Sequence, residues 1–512
     1  MKAPIVEIST GKIRGTTDRG IHAFKGIPYG GPTDGENRFM PPAPPSPWTG
    51  VRDASRYGQA CWQPPDVTPS SYFLMGATGI GEMGEDCLKL NVWTPGLKDN
   101  AKRPVMVWLH GGGFFCGSGD HTPFYEGASL VRTGNIVFVS VNHRLGIFGH
   151  LYLEELCGER YAGSGNAGML DIIQALEWVR DNIEVFGGDP GNVTIFGESG
   201  GGGKVATMQA MPAAKGLFHK AISESGPGTR QRTAAEANNV ARQMLAVFGF
   251  QPEQVCELHK MRADMLYAAW ATMKPGAVML MDHFAPVVDG KTLPCHPFDP
   301  VAAPASAGIP LLIGTNKDEM TFMMQRDPKF GKYTEAEVRN SLIGRLNDKT
   351  GFPVSEDKVD RLIETYRRTR PDATPTDIIV AVSTDRMRMN AINVAERKTA
   401  ASPAPVYMYL MTWESPYKGG IFKSPHTVEM PFVFNNIEPI GLIGSGPDRI
   451  KLAASFSGAW LAFARTGNPN HPGIPHWPVY DRVKRATMIF NTECRVENDP
   501  RAEERIAWDG IR

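Results

Sequence analysis

Short, continuous apolar runs recur along this 512-residue chain with helical patterns between them, and that alternation constrains the fold more than any other feature. The runs lie at 104–110, 135–141, 193–196, 310–313 and 406–410. Runs of this length, rich in β-branched residues, read as strands buried on both faces. Between them, 171–186 carries Ile172, Ile173, Leu176, Val179, Ile183 and Phe186 at three- and four-residue spacing, which draws one apolar stripe along a helix. Gly187-Gly188-Asp189-Pro190 then ends it. Strands alternating with helices predict an α/β protein with a central, mostly parallel, twisted sheet and helices on both faces.

Two stretches, about 229–300 and 320–400, interrupt the alternation with helix-like segments of mixed polarity. They are expected to be helical cap insertions over the carboxyl ends of the strands, where open α/β sheets bind ligands. No flexible linker sets them apart, so residues 1–512 read as one domain. Lys+Arg and Asp+Glu both number 54, and this balance excludes the cationic excess of a nucleic-acid binder. No apolar run approaches the ~18 residues of a membrane span. The first residues, Met1 to Glu7, hold no apolar leader core, so a cytoplasmic location is expected, with a mature secreted or periplasmic form as the alternative. The seven cysteines form no CxxC pair, which argues against a thiolate zinc site.

Gly197-Glu198-Ser199-Gly200-Gly201 fits G-x-S-x-G. Alone the pattern is weak. Its context is specific: it follows the run at 193–196 and precedes a segment able to start a helix. A sharp strand-to-helix turn strains the backbone at the serine and admits only small neighbours, which glycine supplies. The alternative, a phosphate-binding glycine turn, lacks both G-x-x-x-x-G-K-[ST] and a dinucleotide fingerprint. His110-Gly111-Gly112-Gly113-Phe114 follows another strand and offers unshielded backbone amides, the kind of donor that stabilises a developing oxyanion. His110 precedes the nucleophile and is expected to orient that loop.

In sheets that carry such an elbow the chain order is nucleophile, acid, base. Seven histidines follow Ser199: His219, His259, His283, His296, His426, His471 and His476. The last two fall in a Pro- and Asn-rich segment that reads as a surface loop. His426 follows the run at 406–410 and stands where a base would reach the sheet's carboxyl edge. The acid should end the run at 310–313, and spacing leaves Asp318 and Glu319 equally placed, the other being a solvated loop charge.

Together these residues resemble the type-B carboxylesterase family, α/β-hydrolases that include cholinesterases and bacterial para-nitrobenzyl esterases. The likeness extends to Gly11–Gly15, Phe24–Tyr29, Glu85–Val92, Asn142–Gly146, Asn166–Asp171 and Phe186–Pro190. The family's G-x-x-x-D-E pattern implies Glu319 as the acid, and its H-x-x-E-x-P-[FY]-V-F pattern falls on His426 to Phe434. The resemblance implies backbone amides of Gly112, Gly113 and Gly200 as oxyanion donors. It usually places Ala after the nucleophile, so Gly200 is expected to loosen the elbow. Glu198 looks like the family's supporting acid behind the triad, hydrogen-bonded with Ser225 near the histidine, and Cys61 and Cys87 align with a family disulfide. No counterpart of the tryptophan that cholinesterases use against choline is found.

The expected activity is hydrolysis of a small-molecule carboxylic ester through an acyl-enzyme, with the triad Ser199, His426 and Glu319 and no metal or organic cofactor. An amidase or carbamate hydrolase would use the same residues, and a silent interaction module would be expected to have lost one of them. Met279, Met281, Met320, Met323, Met324, Met387 and Met389 fall in the expected cap and suggest a broad apolar site for short or medium acyl, or aromatic, esters, unless they fill helix cores. Nothing in the sequence speaks to oligomeric state.

Overall fold

The structure is a computed structural model that describes residues 3–63, 79–120, 122–226, 228–273, 284–347, 354–438 and 441–511. The alternating runs assemble one eleven-stranded sheet. Its spatial order is Arg495–Asn498, Ala486–Phe490, Val406–Met411, Leu311–Asn316, Lys220–Glu224, Gly188–Glu198, Arg103–Leu109, Val137–Val141, Lys89–Thr94, Ile21–Pro28 and Thr16–Asp18. From Ala486–Phe490 across to Val137–Val141 each neighbour pairs in parallel. The strands outside these limits pair antiparallel.

Every residue of Val137–Val141, Leu311–Asn316 and Val406–Met411 is buried. Two cores account for this. Side chains alternate across a strand, so Val105, Val107 and Leu109 join Ile195 on one face, packed with Ile172, Leu176 and Val179 of the helix Ala167–Asn182. Met106 and Trp108 join Phe196 on the other, packed with Phe456 and Trp460 of the helix Asp448–Thr466. The apolar stripe read between 171 and 186 is buried throughout. It continues through the 3-10 turn Ile183–Phe186, and Gly187 stops it at φ +73.

The two stretches expected as insertions hold different kinds of element. The stretch 229–300 holds the helices Ala234–Val247 and Ala263–Met273, which pack on each other. In the second stretch, Pro375–Ala401 is no cap. This 27-residue helix lies against Leu311–Asn316 and Val406–Met411 as the crossover between those two parallel strands. It starts at a capping box in which Thr374 and Asp377 satisfy each other's amides. Among the described residues no helix is long and apolar enough to cross a membrane.

The strand registers collect the chemistry at one edge. Gly197 lies opposite Leu109, Glu198 opposite Glu224, and Asn316 opposite Met411. The segments that leave these carboxyl ends are the glycine loop from His110, Ser199, Ser225, the turn 317–319 and the loop leading to His426.

Candidate active site

Ser199 occupies a strained corner. Its φ is +56 and ψ −122, a region that costs a non-glycine residue about 1–3 kcal/mol. The surroundings hold it there: its amide donates to Glu224 O at 2.8 Å, and its carbonyl accepts from Gly203 N at 3.1 Å. The motif's glycines are steric requirements. A Cβ on Gly197 would sit 2.6 Å from Leu109 O, and one on Gly201 only 2.0 Å from the same oxygen. The helix Gly200–Met208 begins immediately after the serine and turns its first amides toward it.

Gly200 departs from expectation in its effect. It does not slacken the elbow. The space an alanine methyl would need is filled by the glycine loop, because a Cβ on Gly200 would lie 2.2 Å from Gly113 O and 2.3 Å from Gly113 N. Gly112 and Gly113 adopt φ +87 and +61, which lets the loop close this far. His110 is buried, stacks on His143 with ring centroids 5.0 Å apart, and donates from Nδ1 to Gly111 O at 2.8 Å.

His426, 2% exposed, stands between two carboxylates. Its Nδ1 donates to Glu319 Oε2 at 2.6 Å, and its Nε2 lies 3.1 Å from Glu198 Oε1. Nε2 makes no hydrogen bond among the described residues. Glu319 is itself fixed, because Oε1 accepts the Asn316 amide at 2.7 Å. Burial alone would depress the imidazole's pKa, but Glu198 and Glu319 outweigh it and raise His426 to about 9. Burial pushes the Glu198 carboxyl well above its usual range, against the pull of His426. The proton therefore belongs to the pair.

Three further sequence expectations change. Asp318 is not a solvated charge: it is 5% exposed, and its Oδ2 accepts the Ser424 amide at 3.2 Å, tying down the loop that carries His426. Burial raises its pKa, with Lys317 opposing. Ser225 donates to Glu429 Oε1 at 3.3 Å, not to Glu198. Cys61 and Cys87 are free thiols, not a disulfide. They hydrogen-bond to each other, and Cys61 Sγ accepts the Leu145 amide at 3.3 Å. Both are buried away from solvent oxidants.

Sequence reasoning missed Glu429, Asn316 and Lys204. Glu429 is fully buried, and burial followed by Glu319 raises it to about 7. Asn316 Nδ2 donates to it at 2.5 Å and to Pro425 O at 2.9 Å. Glu429 stands inside the quoted histidine pattern, so the signal was present. Lys204 is the lone charge in the small and apolar run Gly200–Met208, a signal of the same kind. Of the methionines, Met324 and Met389 fill the core, Met320 and Met387 are half-buried, and Met323 is exposed. Met279, Met281 and His283 lie outside the described residues.

A parallel sheet with a strained serine at a strand-to-helix elbow, and a carboxylate-bound histidine at the same edge, defines an α/β-hydrolase. The carboxylesterase family profile matches residues 2–508. The chain is 38% identical over 510 residues to the para-nitrobenzyl esterase of Bacillus subtilis (strain 168), covering 99% of this chain and 98% of that one. It is 32% identical to the phenmedipham hydrolase of Pseudarthrobacter oxydans, with 96% and 95% covered. A solved carboxylesterase of Geobacillus stearothermophilus superposes with a TM-score of 0.85 at 37% identity, covering 98% of this chain and 99% of that one. The chain belongs to the carboxylesterase family and is a carboxylic-ester hydrolase.

Proposed function

We propose that Ser199, His426 and Glu319 carry out this hydrolysis as a triad. Ser199 Oγ attacks the ester carbonyl while His426 Nε2 takes its proton. Glu319 holds the Nδ1 proton and stabilises the imidazolium. The amides of Gly112, Gly113 and Gly200 receive the oxyanion. His426 returns its proton to the departing alkoxide, and water then repeats the cycle on the acyl-enzyme. The observation that carries this reading is the buried His426–Glu319 pair at 2.6 Å, whose far nitrogen meets Glu198, the residue before the elbow serine. Glu198 adds a second carboxylate to the imidazolium.

The substrates are small-molecule esters with short or medium acyl groups, or aromatic ones. Ser199→Ala should lower para-nitrophenyl ester hydrolysis by at least about 10⁴-fold, as removal of a triad serine does elsewhere, and abolish labelling by a fluorophosphonate. Hydrolysis near the wild-type rate in that variant would refute the assignment. Rates on a chain-length series, extended to amides and carbamates, define the leaving-group and acyl range, and a steep preference for very long chains would refute the short or medium reading.

A further inference from the structure

Lys204 is fully buried in the elbow helix, and a lysine is almost never fully buried unless its amine is paired. Its Nζ donates to His110 O at 2.8 Å and to Gly113 O at 2.9 Å. We propose that Lys204 is a positioning residue for ester hydrolysis, a strut that holds the glycine loop so that the Gly112 and Gly113 amides face the carbonyl oxygen of an ester at Ser199. The proposal rests on the function given above.

The peptide geometry supports it. A trans peptide fixes its N–H opposite its C=O, so whatever holds the carbonyl of one residue aims the amide of the next. The Gly112 amide is aimed by Gly111 O, which accepts from His110 Nδ1. The Gly113 amide is aimed by Gly112 O, which accepts from Cys116 N at 3.0 Å. The two peptides that bracket these donors are held by Lys204 through His110 O and Gly113 O. All four carbonyls from 110 to 113 are thereby occupied, and Lys204 supplies both outer anchors. Gly200 completes the arrangement, since its missing Cβ is the space into which Gly113 closes.

The groups facing Nζ suit a strut rather than an ion pair. They are the Phe114 ring, 5.8 Å away, the Cys116 thiol, and His143 and His150, both held below their usual pKa by burial first and by Lys204 in part. No carboxylate is among them. Burial brings Lys204 down to about 7, with Cys116 opposing. Charged or neutral, the amine has enough N–H groups for two carbonyls.

The test compares Lys204→Met with wild type on para-nitrophenyl acetate. kcat should fall on the order of 10- to 100-fold, short of the 10²–10³-fold typical of deleting a donor outright, with KM within about threefold. A trifluoromethyl ketone probes the same step. Ser199 Oγ bonds to its carbonyl carbon, the C=O π pair moves to oxygen, and His426 takes the serine proton. Its inhibition constant should rise by the factor lost from kcat/KM. A folded Lys204→Met protein with kcat within about twofold of wild type overturns the proposal, as does a change confined to KM. Should Lys204→Met not fold, Lys204→Leu, which likewise carries no donor, is judged by the same two criteria. An inactive wild-type enzyme would count against the assigned function instead, because the strut is judged only on the ratio of variant to wild type.

Discussion

The imidazole of His426 must be neutral to accept the serine proton, yet its surroundings favour the charged form. Glu198 lies 3.1 Å from Nε2 and Glu319 2.6 Å from Nδ1, and together they raise the group to about 9. Activity should therefore be lost as pH falls below a limb displaced upward from the ordinary histidine range. Glu198→Gln removes one of the two carboxylates while keeping the side chain's size. The pKa of His426 should fall, and the acid limb of kcat/KM should move to lower pH. A pH profile checks this, and an unmoved limb would mean that Glu198 carries no charge beside the histidine. Chemical motifs made Ser199 and His426 legible, the serine by its flanking glycines after a strand and the histidine as one of few that follow it at a strand end. Asp318 and Glu319 were not separable from the residues alone, because adjacent carboxylates share one strand end. The family pattern points to Glu319, and the fold shows that it turns to the imidazole while Asp318 turns to the Ser424 amide. Lys204 is marked in the sequence only as a charge in a small and apolar run, because its partners are backbone carbonyls, which leave no mark there.

At the scale of elements, the elbow and the glycine loop interlock through backbone. The contact at Gly200 makes the point testable. Alanine there would bring a methyl within 2.2 Å of Gly113 O and 2.4 Å of Gly113 Cα, and neither atom can swing away as a side chain could. The loop would have to move outward. Misplacing a catalytic group by about 1 Å can cost 10²-fold, so Gly200→Ala should reduce kcat by about 10- to 100-fold. Its thermal unfolding should change little, because Gly113 is only half-buried and the shift is local. Steady-state kinetics beside a melting curve decide it, and an unchanged kcat would show that the loop yields freely. The elements themselves were readable wherever one period dominated, as in the buried strands and the helix Ala167–Asn182. Pro375–Ala401 was misread for a physical reason. Its buried residues include the consecutive run Ile378 to Asp385, so no single stripe emerges, and its place against the sheet is set by tertiary packing.

Across the whole molecule, the loop after Val137–Val141 is fastened to the helix Ala167–Asn182 by a buried ion pair. Arg144 and Asp171 are 1% and 0% exposed in their side chains. Arg144 reaches Asp171 through Nε at 2.8 Å, through Nη2 at 2.5 Å and through its own amide at 3.0 Å, while Nη1 donates to Met40 O at 2.7 Å. Both residues fall in family-like stretches, Asn142–Gly146 and Asn166–Asp171, so the sequence marked them without saying that they meet. Neither touches His426 or Ser199, and the pair is structural. Asp171→Asn would replace one of the two carboxylate oxygens that the buried guanidinium uses, and Asp171→Leu would leave it with Met40 O alone. Stranding one member of a buried pair costs about 3–5 kcal/mol, and replacing both with apolar groups of similar volume is often neutral. Asp171→Leu should therefore lower the denaturant midpoint sharply, and Arg144→Met should do the same, while the double variant should recover most of the loss. The two single effects should thus fail to add, as expected for side chains in direct contact. Additive losses in equilibrium unfolding would show instead that each residue is anchored mainly by its backbone partners, and that the helix is held to the loop by packing around Ile172 and Leu176.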